Sequence, residues 1–575
     1  MLAFLLRLRT RAQQTLRFSE IHAALLWAAV IGLVGAYATL LFRQGIAGLQ
    51  MLLVGRAGAL VEMGQSLSPE MRVILPTCGG VAAGMILSWS RRYASGAPHS
   101  DYIEAIAIGD GQVPVRFTLI RCLSSLATIA TGGSIGREGP MVQLAAMCAS
   151  VVGRLRHLEP ERLKLLVACG AAAGITAAYN APIAGAMFVT EIVLGTIAME
   201  SFGPLIVASV VSNVTMREFA GYKPPYMMPV FPSISGRELA LFVPLGIAAG
   251  IVAPHFLQLL EWSKGRWARL ALPPAFRLGL GGLGVGILSI WVPQVYGNGY
   301  SVVNSILHQP WLWQTLLLVL VFKIVATALT VGSGAIGGVF TPTLFVGAAF
   351  GCLYGQGVHA LWPALTSAPF AYAIVGMGAS LAAATNAPLM AILMIFEMTL
   401  SYEVVLPLML ACVIAYFVSR FGGISMYDIT LRRQREVQER LRLRTTRMVD
   451  LIQPTQTVLP PDAGVREMTR LFLEYPVKYL YIVDAKQQFL GVVALSHLTS
   501  AMLAKEDTEY KCAADFLQQP EFSCLTPDMS LNEALQCFMA HQGERLPVIR
   551  SERDNHFLGV VFKSSLLDSY FKMSA

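Results

Sequence analysis

Charged side chains are scarce in this sequence. Asp, Glu, Lys and Arg make up 14% of its 575 residues, against about a quarter in an average soluble domain, while 55% of the residues are hydrophobic. The mean hydropathy is +0.58. Apolar segments recur between residues 23 and 419, and many approach the roughly 20 residues that a helix needs to cross a bilayer. This composition excludes a soluble protein and predicts a polytopic α-helical membrane protein embedded in a lipid bilayer.

Cysteine pairs and metal-ligand spacings are also missing. The sequence has nine cysteines, none of them in a Cys-x-x-Cys motif, and most lie in apolar surroundings where cysteine acts as a small buried side chain. We therefore expect no metal site, no cofactor and no disulfide framework. The C-terminal region offers no recognisable nucleophile–base pair, so the protein is not expected to be an enzyme and no catalytic residue is predicted.

The basic residues cluster beside apolar segments. The net charge is +8, and the clusters lie before residue 20 and within residues 432–447. No signal peptide is evident at the start of the chain, so the first apolar stretch is predicted to be a retained helix. Positive segments next to membrane spans usually face the cytoplasm, which predicts a multi-pass protein of the cell (inner) membrane with both termini cytoplasmic. Nucleic-acid binding is the weaker explanation, because each cluster abuts a span.

The most informative stretch is residues 132–140, which read GGSIGREGP. Glycines allow a tight backbone turn that exposes N–H groups, and the apolar helix that follows adds the positive end of its dipole. Together these make an anion site. Glu138 can occupy that site itself, or leave it for a small anion when protonated, which predicts a gated anion pathway. The alternative is that Glu138 merely caps the helix.

An internal repeat supports a transport function. An Asn-Ala-Pro motif begins at Asn180 and again at Asn386, and a glutamate follows nine residues after each proline, at Glu191 and Glu397. A glycine-rich break lies upstream of each motif. Repeated, glycine-interrupted helices are typical of transporters and channels with their site at the repeat interface. Glu191 and Glu397 themselves are better explained as buried structural carboxylates than as proton carriers.

Changes of composition divide the chain. The predicted divisions are an N-terminal segment 1–20, a transmembrane domain 21–431 with halves of about 21–217 and 238–431, a basic linker 432–447, and a soluble α/β region 448–575. The last region contains two similar units, at about 449–503 and 512–573. Each unit includes a strand that reads Phe-Leu-Gly-Val-Val, which indicates a tandem repeat.

Three breaks in the apolar region could converge on one anion. They are residues 94–99, 132–140 and 332–342. If their helices point N-termini at one spot, they supply backbone donors, and the hydroxyls of Ser95 and Tyr427 could add side-chain donors. Such a site needs no full positive charge, so it can bind a halide and still release it.

This combination resembles the CLC family of chloride channels and chloride/proton antiporters, over about residues 20–431. The tail resembles a tandem CBS-domain pair. The resemblance implies an inverted-repeat CLC-type fold with broken helices, a cytoplasmic tandem CBS domain and a homodimer with one pore per subunit. The motifs that match are Ser95-Gly96-x-Pro98, Gly136-Arg137-Glu138-Gly139-Pro140, Gly332-Ser333-Gly334 with Phe340-x-Pro342, and Tyr427.

The resemblance also implies roles for single residues. The hydroxyls of Ser95 and Tyr427 and the amides of Val339 and Phe340 would coordinate the central chloride. A serine at position 95 suits chloride, although the sequence does not rank chloride against other halides or nitrate.

An outer anion site would be formed by the amides from Arg137 to Gly139. The Glu138 carboxylate would fill this site when the pathway is closed, which would make Glu138 both gate and proton acceptor. Arg121 matches a basic position of the family and could raise the local potential.

Two departures from the family pattern leave questions open. Many antiporters have a second acid directly after the position of Glu191, and it relays protons from the cytoplasm; here Ile192 replaces it. The function predicted is therefore a channel-like, voltage- or pH-gated chloride pathway, and the alternative is a chloride/proton antiporter with a non-standard internal proton route. CBS pairs that bind adenosine nucleotides usually have an acid shortly after Gly-Val-Val, which both units lack, so nucleotide binding stays open.

Overall fold

The computed structural model describes most of the chain in two compact units, Met1–Leu431 and Arg432–Ala575. The residues described are 2–90, 101–196, 198–218, 226–422, 425–427, 448–504, 510–518, 522–541, 543–551 and 553–567. The predicted ligand Ser95 and the basic linker 432–447 lie outside them.

The first half of the membrane unit is helical. Its helices are α1 (Leu2–Val54), α2 (Leu60–Ser66), α3 (Pro69–Ser90), α4 (Tyr102–Ala107), α5 (Val115–Ala130), α6 (Glu138–Leu155), α7 (Pro160–Tyr179), α8 (Pro182–Phe188) and α9 (Met199–Glu218). Helix α1 begins at Leu2, and its apolar span reaches from His22 to Val54.

The second half follows the same plan. Its helices are α10 (Gly236–Leu239), α11 (Phe242–Ala268), α12 (Pro274–Trp291), α13 (Tyr300–His308), α14 (Trp313–Gly332), α15 (Phe340–Leu361), α16 (Pro369–Thr385), α17 (Pro388–Thr399) and α18 (Val405–Gly422). Within the described residues, eight helices of the unit are long and apolar enough to cross a membrane. Helices such as α8 and α17 are too short to do so, as in proteins whose broken helices line a pathway.

The backbone repeats in detail between the two halves. The series α5, α6, α7 and α8 corresponds to α14, α15, α16 and α17. Helices α7 and α16 each end at an asparagine in the left-handed conformation, Asn180 with φ 61° and Asn386 with φ 56°. The glycine breaks also match, since Gly132 has φ 102° and Gly334 has φ 98°. Both glycines are required there, because side chains rarely adopt this region.

Small residues let the helices approach closely around the breaks. A Cβ atom on Gly347 of α15 would lie 2.5 Å from the carbonyl oxygen of Gly376 on α16, and a Cβ on Gly376 would lie 2.5 Å from the oxygen of Gly347. Close packing of this kind is typical of helices in membranes. No hydrophobic effect drives helices together there, and small side chains allow the van der Waals contacts that do. One irregularity marks the first half: α8 continues as a π-helical turn, Val189–Leu194.

The second unit is α/β. Its strands are β1 (Val458–Leu459), β2 (Tyr479–Val483), β3 (Phe489–Ala494), β4 (Leu517–Gln518), β5 (Arg545–Ser551) and β6 (Asp554–Phe562), and its helices are α19 (Val465–Glu474), α20 (Leu495–Leu503) and α21 (Leu531–Ala540). Strands β1 to β4 form one sheet in that order and β5 pairs with β6. The equivalent phenylalanines of the repeated strands, Phe489 and Phe557, stack with their ring centres 6.1 Å apart, so the two repeats share a core.

Candidate functional site

The glycine breaks of the two halves meet each other directly. The N–H of Gly136 donates to the carbonyl of Gly338 at 2.8 Å, and the N–H of Gly338 donates to the carbonyl of Gly136 at 2.8 Å. A Cβ atom on Gly136 would lie 2.8 Å from that carbonyl oxygen of Gly338. The two repeats are therefore joined at Gly136 and Gly338, at the interface where the site is predicted. We call this contact the glycine seam, and glycine is the residue that leaves room for it.

Two helices begin on either side of this seam. Helix α6 starts at Glu138 and α15 starts at Phe340, and neither has a side chain that caps its first turn. The first N–H groups of a helix have no partner within the helix and carry the positive end of its dipole. Because both starts are buried in the protein, they offer an anion a desolvated site.

Glu138 lies at this seam with only 2% of its surface exposed. Its Oε1 accepts a hydrogen bond from the Tyr300 hydroxyl. Its Oε2 faces Gly136 and Gly338 and has no hydrogen-bond partner among the described residues. A capping carboxylate would accept backbone N–H groups, and the bond described here comes from a phenol instead. A buried carboxylate with one unsatisfied oxygen lowers the stability of the fold. Such a group is therefore a candidate for a function.

A chain of hydroxyl groups leads away from Glu138. The Tyr300 hydroxyl also lies 3.1 Å from Thr341 Oγ1, which in turn lies 3.1 Å from the Tyr179 hydroxyl. The guanidinium of Arg137 stacks on the Tyr300 ring, 5.0 Å from its centre. Sequence reasoning missed Tyr300, Thr341 and Tyr179, because an isolated aromatic or threonine in an apolar segment has no distinguishing pattern.

Three of the predicted ligands of the central chloride, Val339, Phe340 and Tyr427, are among the described residues. Val339 is the residue before α15, and Phe340 is buried with its ring 5.2 Å from that of Tyr179. Tyr427 is half-buried and meets the Phe188 ring edge-on at 5.9 Å. Tyr427 and Glu138 are close enough to interact electrostatically. The structure thus brings Tyr427 and Glu138 into one neighbourhood, while Ser95 lies outside the described residues.

Arg121 is on α5 and is half-buried. Its guanidinium lies over the Phe117 ring, 5.3 Å from the centre, and it interacts electrostatically with Asp101. The predicted contribution of Arg121 to the local potential stays a prediction.

The two repeated glutamates bind backbone rather than facing the seam. The Glu191 carboxylate accepts the N–H groups of Leu389 and Met390, and the Glu397 carboxylate accepts those of Ile183 and Ala184. Each glutamate therefore caps the short helix of the opposite half.

Next to Glu191, Ile192 is 3% exposed and packs in the core of the unit. An isoleucine side chain can neither accept nor release a proton, so this position offers no internal proton acceptor.

In the second unit, two aromatic rings pack against His541. The His541 ring lies 4.8 Å from that of Phe522 and 5.4 Å from that of Tyr479, and its Nε2 is buried without a hydrogen-bond partner among the described residues. Burial, and then the charges of Lys478 and Lys563, lower the pKa of His541. In the part of the chain that the structure describes, no three His, Cys, Asp or Glu side chains are grouped as metal ligands would be.

Comparison with known proteins assigns the membrane unit and part of the tail. The family model described as voltage gated chloride channel matches residues 79–420, and the CBS domain model matches residues 514–572. A ClcB-like protein of Ralstonia nicotianae is 55% identical over 72% of this chain and 98% of its own length. The voltage-gated ClC-type chloride channel ClcB of Escherichia coli is 40% identical over 69% of this chain and 95% of its own length.

A solved structure of similar fold supports the same assignment. The crystal structure of a slow cyanobacterial Cl⁻/H⁺ antiporter covers 73% of this chain and 99% of its own, with a TM-score of 0.63 and 26% identity. The family model and these relatives are described as chloride channels or as a Cl⁻/H⁺ antiporter, so the family is one of ion channels and transporters. The chain belongs to the CLC family of chloride channels and transporters, and it ends in a CBS domain region.

Proposed function

We propose that this protein is a channel-like chloride pathway that Glu138 gates, in response to voltage or pH. The observation that supports it is the Glu138 carboxylate itself, buried at the starts of α6 and α15 and against the Gly136–Gly338 seam. Within CLC-type chloride transport, such a carboxylate occupies the place that an anion would otherwise take.

The mechanism is competition between two anions for the same donors. In the closed state the charged carboxylate of Glu138 lies against the amides from Arg137 to Gly139. Protonation removes the charge, so the side chain loses its attraction to the helix dipoles and moves away. Chloride then enters the outer site and continues to a central site formed by the amides of Val339 and Phe340 and the hydroxyls of Tyr427 and Ser95. The donors of this central site are amides and hydroxyls, which carry no full charge, so release stays fast.

The second candidate is a chloride/proton antiporter. The observation that favours it is the run of hydroxyls from Tyr300 through Thr341 to Tyr179, which begins at Glu138. A proton from Glu138 could pass along this run by exchange between neighbouring oxygens, without the acid that Ile192 replaces. A cyanobacterial relative with the same fold is described as a Cl⁻/H⁺ antiporter. Ile192 is the observation against this candidate, because the usual internal acceptor is missing.

Flux in liposomes separates the candidates. With opposed chloride and proton gradients, a channel gives a reversal potential set by chloride alone, and an antiporter moves protons against their own gradient. Glu138→Gln mimics the protonated gate and is expected to make chloride flux independent of pH. Full pH dependence in this variant would contradict the gate. Competition by nitrate and fluoride in the same assay ranks the anions.

The remaining assignments are part of the proposal. The protein is a homodimer of the cell (inner) membrane with both termini cytoplasmic, because basic clusters flank the first and last spans. The tail is a tandem CBS domain, and an adenosine nucleotide is a candidate ligand of it. Isothermal titration of the purified protein with ATP and AMP tests the ligand, and cross-linking in membranes tests the dimer.

A further inference from the structure

We propose that Tyr300 is the positioning residue of the gate, and that its hydroxyl sets the pH at which Glu138 opens the pathway. This inference rests on the proposed function, since it applies only if Glu138 is the gate. Tyr300 belongs to none of the motifs that identify the family in this sequence, and the structure alone brings it to Glu138.

The backbone around Tyr300 is fixed to the glycine seam. Gly299 precedes α13 in the left-handed region with φ 89°, which places Tyr300 at the first helical position. The N–H of Gly297 donates to the carbonyl of Gly132 at 2.9 Å. The loop that carries Tyr300 is therefore attached to the same glycine break that leads into Glu138.

A buried lysine holds the same loop from the other side. The ammonium group of Lys323 donates to the carbonyls of Val295 at 3.1 Å and Gly297 at 2.5 Å. A buried ammonium that satisfies two carbonyls of one short loop restricts that loop. The hydrogen bonds from Gly297 and Lys323 thus fix the position of the Tyr300 hydroxyl.

The ring of Tyr300 is held on its faces as well. The Arg137 guanidinium lies 5.0 Å from its centre, and the Tyr226 ring meets it edge-on at 4.9 Å. The phenol can therefore rotate its O–H between two acceptors without moving the ring. One acceptor is Glu138 Oε1 and the other is Thr341 Oγ1 at 3.1 Å.

These two acceptors correspond to the two states of the gate. A charged carboxylate is the stronger acceptor, so the hydroxyl donates to Glu138 when the gate is closed. When Glu138 is protonated and leaves, the hydroxyl can donate to Thr341 and is not left unsatisfied in the interior. Tyr300 stabilises the charged form of Glu138 over the neutral form, and Thr341 stabilises the open state.

Other ionisable groups surround Glu138, and none of them is replaced in the variants that test the role of Tyr300. They come from its own helix start, from α7, from the segment before α10 and from the segment after α18. They are Arg137, Tyr179, Tyr226 and Tyr427.

The test is the pH profile of chloride efflux from liposomes that contain the full-length protein. Tyr300→Phe removes the donor and keeps the ring, so the charged carboxylate loses one hydrogen bond and the pH midpoint of opening rises. A hydrogen bond to a charged group corresponds to a shift on the order of one pH unit. Thr341→Val removes the alternative acceptor of the open state and is expected to lower the midpoint. Tyr354→Phe is the matched control, because that hydroxyl donates to Leu241 outside the site.

The outcomes separate the inference from the proposed function. If Glu138→Gln keeps the pH dependence, the gate itself is wrong. If Glu138→Gln abolishes it while Tyr300→Phe has the midpoint of Tyr354→Phe, the gate stands and the role of Tyr300 is refuted. Should Tyr300→Phe not fold, 3-fluorotyrosine inserted at position 300 is the second variant. Its more acidic hydroxyl donates more strongly, so the midpoint falls; an unchanged midpoint also refutes the role.

Discussion

Glu191 and Glu397 occupy equivalent positions in the two halves of the membrane unit, and each binds the helix start of the other half. Glu191 accepts the N–H of Met390 at 2.7 Å, and Glu397 accepts the N–H of Ala184 at 2.8 Å. The exchange is reciprocal and ties α8 to α17. These carboxylates join the repeats at one place, and the glycine seam joins them at another.

Glu397→Gln is expected to weaken this connection. The amide keeps one acceptor oxygen and loses the other, and a hydrogen bond to a charged group contributes about 1.5–3 kcal/mol. We expect the free energy of unfolding to fall by about 1–2 kcal/mol and the pH midpoint of chloride flux to stay unchanged. Thermal unfolding in detergent, followed by tryptophan fluorescence, measures the loss.

Glu261→Gln provides the comparison for Glu397→Gln. Glu261 is half-exposed in an ion pair with Lys264, and such surface pairs contribute about 0–1 kcal/mol. Equal losses of stability in the two variants would argue against the reciprocal caps.

Gly136→Ala tests the seam. The added Cβ would lie 2.8 Å from the Gly338 oxygen and would also crowd Glu138 Oε2, so the breaks must separate and the carboxylate must move. We expect a loss of stability of about 1–3 kcal/mol, as for overpacked cores, together with chloride flux that responds less to pH. Gly357→Ala on α15 is the control, because nothing lies within 4 Å of its added Cβ and alanine favours helix. A Gly136→Ala protein with normal stability and normal pH response would contradict the seam.

The repeat and the glycine breaks could be predicted from the sequence because glycine, proline and asparagine report backbone conformation locally. Gly132 and Asn180 stand where the chain takes left-handed backbone, and both were visible as motifs. Tyr300 was not, because its function depends on a contact with Glu138 made across the fold. Nothing in the local sequence around Gly299 and Tyr300 indicates which acceptor the phenol will meet.

His541 predicts a pH dependence for the second unit. Burial, and then the charges of Lys478 and Lys563, lower its pKa below the ordinary value of about 6.5, and a backbone hydrogen bond to Arg545 only partly opposes them. The unfolded chain then binds a proton more readily than the folded chain. The stabilisation is present above the unfolded pKa and is lost as the pH falls through the range below it.

Amide hydrogen exchange on the full-length protein measures this effect. Protection of β2 and β5 is expected to decrease between about pH 7 and pH 5.5, after correction for the intrinsic exchange rate, and to decrease less in His541→Gln. His497→Gln changes an exposed histidine of the same unit and should behave like the unchanged protein. A decrease of the same size in the His541 variant would assign the pH effect to other groups.

Tyr179→Phe distinguishes the channel from the antiporter without touching Glu138. The Tyr179 hydroxyl is the last of the run that begins at Tyr300, and its bond to Thr341 Oγ1 is 3.1 Å long. If protons leave Glu138 along this run, the variant loses proton movement while chloride still flows, so the ratio of chloride to protons rises and the reversal potential moves toward that of chloride alone. If the protein is a channel, the unchanged protein already has that potential and the variant keeps it. Proton movement that persists at full rate in Tyr179→Phe would exclude the hydroxyl route and require an internal acceptor other than this run.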